Sequence, residues 1–221
     1  MKSKFNWTVL AVVIMLGLMV GSAPAAIVVI AKTNDPAPEA GTSFVGGFTF
    51  GRAMLNDLGQ VAFSAQLQGA PINTGNDWGL FRGDGTTLVE ISREGDLAPD
   101  GDGTFGVQFQ PAINDVGQVA FKSGMNGTAN NDGVFYGTGG ALTQVVRKNQ
   151  AAPDSNGVYS QILSPMFNDA GQAAFVSSLT GTSRGSLAVR GGSQISRDCR
   201  HAAVGGARRA SLRSTRLWDT M

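Results

Sequence analysis

A chain of 221 residues suits one domain plus processing segments, and 42% hydrophobic content is enough to bury a core. Only 15% of residues are charged while 31 are glycine, which favours short strands and tight turns over long helices, where each interior glycine costs ~1 kcal/mol. The single cysteine, Cys199, excludes an internal disulfide. The net charge of +1 hides a mildly acidic body: with Lys2, Lys4 and the tail's six arginines and two aspartates set aside, residues 5–196 carry −5, a poor basis for binding nucleic acid.

Lys2 and Lys4 precede an apolar run from Val9 to Val20, and Gly21-Ser22-Ala23-Pro24-Ala25 offers a small-x-small exit. Residues 1–25 therefore read as a signal peptide cleaved after Ala25, leaving no stable membrane span. An uncleaved anchor is the alternative, although a span needs ~20 apolar residues. The expected location is outside the cytoplasm: periplasmic, cell-surface or extracellular.

From Ile27 onward three sequence blocks recur. The first block is Asn56-Asp57-Leu58-Gly59-Gln60-Val61-Ala62-Phe63. It returns at Asn114-Asp115-Val116-Gly117-Gln118-Val119-Ala120-Phe121 and at Asn168-Asp169-Ala170-Gly171-Gln172-Ala173-Ala174-Phe175. Gly79-Leu80-Phe81-Arg82-Gly83 matches Gly133-Val134-Phe135-Tyr136-Gly137 and, more loosely, Ser186 to Gly191. Leu88 to Asp100 shares its plan with Leu142 to Asp154 and with Ile27 to Glu39.

Each unit reads as four short strands, in the first case Val61 to Leu67, Trp78 to Arg82, Leu88 to Arg93 and Phe105 to Ile113. Val61, Phe63, Ala65 and Leu67 fall on one face, as period-two alternation requires. Asn-Asp-x-Gly between strands predicts a type I turn closed by a left-handed glycine in a G1-bulged hairpin. The phenylalanine that follows reads as a core plug and the alanine before it as a close-packing position.

These blocks resemble the bacterial NxxGxxAF tandem-repeat family, whose members carry variable C-terminal surface anchors. The resemblance covers residues 26–191 and rests on a motif that recurs in phase with two others. It implies export and an all-β, propeller-like array of four-stranded antiparallel units, here partial or truncated at about three units. It implies no reaction, since that family has no established activity.

Past Gly191 the pattern fails. Gln194-Ile195-Ser196-Arg197-Asp198 echoes Glu90 to Glu94 faintly, and the rest of residues 192–221 is rich in arginine, alanine and serine without alternation. It reads as a disordered basic tail outside the evolved fold, such as a shifted reading frame would leave, or as an arm for an anionic surface.

No catalytic residue, cofactor motif or metal site is expected. The acidic columns Asp57/Asp115/Asp169 and Glu39/Asp100/Asp154, with Asp102, invite a calcium reading but lack loop spacing with a distal glutamate, and turn chemistry explains them better. The basic column Lys32/Arg93/Arg147 reads as solvated strand ends, with anion binding the weaker alternative. His201 and Cys199 lack further ligands or a partner. Gly137-Thr138-Gly139-Gly140 reads as a hairpin turn, and Trp78 as packing rather than a sugar platform.

The expected function is that of an exported, non-enzymatic binding module for an extracellular protein or polysaccharide. The alternative is a propeller-type polysaccharide hydrolase or lyase. Separate, exposed positions for Asp57, Asp115 and Asp169 would favour the binding module.

Overall fold

A computed structural model describes residues 27–46, 50–182 and 187–192. The expected signal peptide, Cys199, His201 and the tail beyond Gly192 lie outside the described residues. Every regular element described is a strand. β1 (Thr42–Phe44), β2 (Met54–Leu55), β3 (Val61–Gly69), β4 (Trp78–Gly83) and β5 (Leu88–Arg93) form the first sheet. β6 (Thr104–Ile113), β7 (Val119–Asn126), β8 (Asp132–Gly137) and β9 (Thr143–Arg147) form the second. β10 (Val158–Ile162), β11 (Met166–Phe167), β12 (Ala173–Thr180) and β13 (Leu187–Gly192) form the third. All pairings are antiparallel, so the fold is an all-β tandem array.

The first sheet's outer strand is interrupted. β1 pairs with one end of β3, from Thr42 against Gly69 to Phe44 against Leu67, and β2 pairs with the other end through Met54 and Leu55. β10 and β11 divide β12 in the same manner, whereas β6 runs along β7 with two register breaks.

The strands occur where alternation places them, but the sheets are phased differently from the sequence units. The segment Phe105 to Ile113 does not close the first sheet; it opens the second by pairing with β7. The short turn at Asn114 forces this, because a tight hairpin makes its two strands neighbours in one sheet. The third sheet also departs from the glycine spacing. Val61 and Val119 face Gly83 and Gly137, while Ala173 faces Gly192 rather than Gly191.

The predicted turn forms three times. In the first, the Asn56 N–H donates to the Gln60 carbonyl at 3.0 Å, and the Gly59 N–H donates to the Asn56 carbonyl at 3.2 Å. Gly59, Gly117 and Gly171 have φ of 79°, 76° and 73°. Surroundings separate them: a Cβ on Gly59 would meet nothing within 4 Å, whereas one on Gly117 would stand 2.8 Å from Arg82 Nη1 and 2.9 Å from Gln60 Oε1. Gly59→Ala is therefore expected to cost about 1 kcal/mol from backbone strain alone. Gly117→Ala should cost somewhat more, because the ends of Arg82 and Gln60 must shift and Arg82 then loses its bond to the Gly117 carbonyl. Urea unfolding of the two variants checks the order; equal losses would refute it.

The core lies between sheets. Phe44, Phe63 and Phe81 cluster on the first sheet, with ring centroids 5.2–6.0 Å apart, over Ala37, Ile30 and Ala31. Phe105, Phe121 and Phe135 repeat the cluster at 4.9–5.9 Å and pack on Ala62, Leu80, Ile91 and Ala98 of the unit before. Tyr159 and Phe175 pack in turn with Val134, Val146 and Ala152. The motif phenylalanine faces the preceding unit. Ala62, on the opposite face of β3, packs toward the following sheet, as the sequence predicts for plug and close-packing positions.

Candidate functional site

Two sets of repeat columns converge, one at each kind of connection between strands. The first set is the stack of Asn-Asp-x-Gly-Gln turns. Within a turn, Asn56 Oδ1 accepts the N–H groups of Leu58 and Gln60, and Asn56 Nδ2 donates to Gln60 Oε1 at 3.0 Å. Between turns, Asn56 Nδ2 donates to the Asn114 carbonyl at 2.9 Å, and Asn114 Nδ2 to the Asn168 carbonyl at 3.0 Å. The Asp57 N–H donates to Asp115 Oδ1 at 2.9 Å, and the Asp115 N–H to Asp169 Oδ1 at 2.7 Å. Arg82 reaches from β4 to donate to the Gly117 carbonyl.

The ladder accounts for each motif letter. Asparagine closes its turn and donates to the next, aspartate accepts from the turn before, and glycine leaves room for the preceding glutamine. The acidic column is correspondingly contiguous: Asp57, Asp115 and Asp169 sit on three separate, consecutive turns, exposed at Asp57 and Asp169, and Asp115 and Asp169 each accept the backbone N–H of the turn before. Hydrogen bonding between consecutive turns is the physical reason, and local turn chemistry alone does not reveal it.

The second set lies at the corners between sheets. Arg93 and Arg147 are 7% and 3% exposed. This corrects the reading of their column as solvated strand ends. Arg147 Nη1 donates to both carboxylate oxygens of Asp100, at 3.0 and 2.9 Å. Its Nη2 donates to the carbonyls of Asp102 and Asn130 at 3.0 and 2.8 Å, and its Nε to the Asn130 carbonyl at 3.1 Å. The guanidinium also stands 5.8 Å from the Phe135 ring centroid. Arg93 likewise pairs with Glu39 and Glu90. Each arginine therefore reaches back to the acid of the previous corner. Burial is possible because the planar fork satisfies several acceptors at once.

Lys32 shares the column but not the role, standing 3.8 Å from Asp35 at the exposed start of the array. Asp154 takes the third acidic position, on an exposed corner. The Asp100-Gly101-Asp102-Gly103 carboxylates are directed to protein groups. Asp102 accepts from Asn130 and Thr128, each at 2.8 Å, and these bonds together with Arg147 hold its carboxyl below the usual carboxylate range. A shallow open cleft lined by Pro38, Glu39, Glu90, Arg93 and Asp96 marks the Arg93 corner.

Sequence reasoning missed one pair. Burial pushes the Glu94 carboxyl up, and a hydrogen bond with Asp77 adds to the shift. Asp77 Oδ2 accepts from Gln66 Nε2 at 2.7 Å, and the Glu94 N–H donates to the Trp78 carbonyl at 2.8 Å. The second unit holds Lys148 and Asn131 at the same positions, with Lys148 Nζ donating to Asn131 Oδ1 at 2.9 Å. That column change was the available signal. Trp78 itself is half-buried and pairs with Gln66, consistent with packing. Thr138 to Leu142 forms the β8–β9 hairpin loop, with Gly139 at φ 105°.

A raised folded-state value means that the folded protein holds the Glu94 proton more tightly than the unfolded chain. The Glu94 contribution to stability is therefore greatest below the ordinary glutamate range. It is lost as pH rises from that range through the folded value. Glu94→Gln should flatten this decline, leaving the variant more stable than the parent at neutral pH and similar to it in acid. Melting temperatures across that window check the sign.

A model of a family of unknown function, DUF7453, matches residues 11–133 and 125–192. The chain belongs to this family. No curated protein and no solved structure matches it. Among the described residues of this DUF7453 member, no group of three or more His, Cys, Asp or Glu side chains is arranged to hold a metal ion. Among those residues no helix is long and apolar enough to cross a membrane.

Proposed function

We propose that this chain is an exported, non-catalytic repeat protein whose stacked sheets present a binding surface to an extracellular protein or polysaccharide. The observation that carries this reading is the use of the repeat columns: their amides, carboxylates and guanidinium groups fasten one unit to the next. The turn tips face outward. Leu58 and Val116 are 69% and 65% exposed and share a column with exposed Ala170, beside the aspartate ladder. Such a regular ridge suits an extended partner, since repeat arrays offer long, periodic surfaces. The N-terminal Lys2, Lys4 and Val9–Val20 pattern and the resemblance to the NxxGxxAF repeats support export.

A hydrolase is the competing reading, and the Glu94–Asp77 pair is the arrangement nearest to its needs. Glycosidases hold their two carboxyls ~5–9.5 Å apart with the sugar bond between them. Glu94 Oε2 is instead buried, and Asp77 Oδ2 is occupied by Gln66 Nε2 at 2.7 Å, so both carboxyls are engaged within the fold. A glycan array probed with the recombinant chain tests the proposal, and binding without turnover is expected. Release of reducing ends from any bound polysaccharide would overturn it.

A further inference from the structure

The turn ladder has a direction, and its two ends match. Each turn donates forward twice, through its asparagine Nδ2 and its aspartate N–H, to the carbonyl and carboxylate of the next turn. Among the described residues, the turn at Asn168 has donors of both kinds with no following turn. Asn168 Nδ2 donates, among the described residues, only within its own turn, to Gln172 at 2.9 Å. The first turn has the complementary deficit: among the described residues no preceding turn donates to the Asn56 carbonyl or the Asp57 carboxylate.

Burial along the columns records the same two ends independently. Asn56 and Asn114 are 7% and 2% exposed, whereas Asn168 is exposed. Two residues earlier in each unit stand half-buried Met54, Ala112 at 8% and Met166 at 73%. These positions are covered where a following unit exists. The intervening column is covered by the preceding unit: Ile113 packs against the core shared with the first sheet, and Phe167 lies 5.4 Å from Tyr136. Leu55, first in that column, is 68% exposed.

We infer that a second copy of this chain docks head to tail, the Asn168–Gln172 turn of one copy stacking on the Asn56–Gln60 turn of the next. Asn168 Nδ2 and the Asp169 N–H then donate to the Asn56 carbonyl and the Asp57 carboxylate of the second copy, while Met166 and Leu55 enter the interface. The acceptor-bare turn that fits is carried by this chain itself. It cannot serve its own copy, because the turn at Asn114 lies between the two. The contact is heterologous, so association continues past the dimer until a ring closes or a filament grows.

Sedimentation velocity on the full chain, over a wide concentration range, tests this. The mass of the parent should rise with concentration. Asp57→Lys removes the acceptor end and Met166→Asp the apolar donor end; both positions are exposed, and circular dichroism verifies folding. Each variant alone should associate at least about tenfold more weakly than the parent. Their mixture retains one intact end on each partner, so it should form a dimer and nothing larger. A monomeric parent, variants that associate as the parent does, or a mixture that stays monomeric would overturn the inference.

Discussion

Arg147→Ala should lower the unfolding free energy by about 3 kcal/mol, a large share of the 5–15 kcal/mol typical of a domain. The side chain is 4% exposed and its guanidinium binds Asp100 through two bonds, two backbone carbonyls and the face of Phe135. Truncation leaves the Asn130 and Asp102 carbonyls without their donor and opens a void against the ring. Asp100→Ala should cost less, because Asp100 is 37% exposed and Arg147 keeps its carbonyl partners and Asp102. Arg147→Lys should recover only part of the loss, since an ammonium cannot fork to a carboxylate and carbonyls together. Urea midpoints at constant slope measure all three. An Arg147→Ala loss within 0.5 kcal/mol, the usual range for an exposed substitution, would show that the corner pair holds nothing.

Phe121→Ala should cost about 4 kcal/mol, the upper part of the range for a buried aromatic. Phe121 is fully buried, lies 5.7 and 5.9 Å from the Phe105 and Phe135 centroids, and shares a core with Ala62, Leu80 and Ile91. Its loss therefore loosens the second sheet and the contact between the first two. Phe175→Ala should cost less, because Phe175 is 5% exposed and its cluster is smaller. Phe121→Leu should lose less than Phe121→Ala, because the leucine side chain fills part of the space the ring leaves. Equal losses for Phe121→Ala and Phe175→Ala would contradict the central position of the second cluster.

Much of this architecture is legible in the chain. Alternation around Val61, Phe63, Ala65 and Leu67 marks a strand and its core face, because side chains two apart share a face of a strand. Asn-Asp-x-Gly marks the hairpin, since a left-handed turn position accepts glycine at least cost. Neither signal reaches beyond one hairpin. The sheet boundaries followed from pairing, which set Thr104–Ile113 against β7 and displaced the third hairpin by one residue.

The candidate sites divide along the same line. Fixed spacing shows that Arg93 and Arg147 belong to one column and Glu39 and Asp100 to another. It does not show that the columns meet, because the partners lie 54 and 47 residues apart. An arginine at a strand end reads as solvated until the preceding corner folds over it and replaces water with carboxylates and carbonyls. The Glu94–Asp77 pair arises in the same way, from a corner brought back onto the start of β4.

By itself, then, the sequence determined the strands, the turns and the period of the array, because those depend on side-chain alternation and on backbone preferences within a few residues. Tertiary structure decided which strands share a sheet, and that the motif asparagines and aspartates form one ladder. It also decided that the arginines are buried. Those outcomes depend on contacts between units about 50 residues apart, where only the stacking of one sheet on the next brings donor and acceptor within 3 Å.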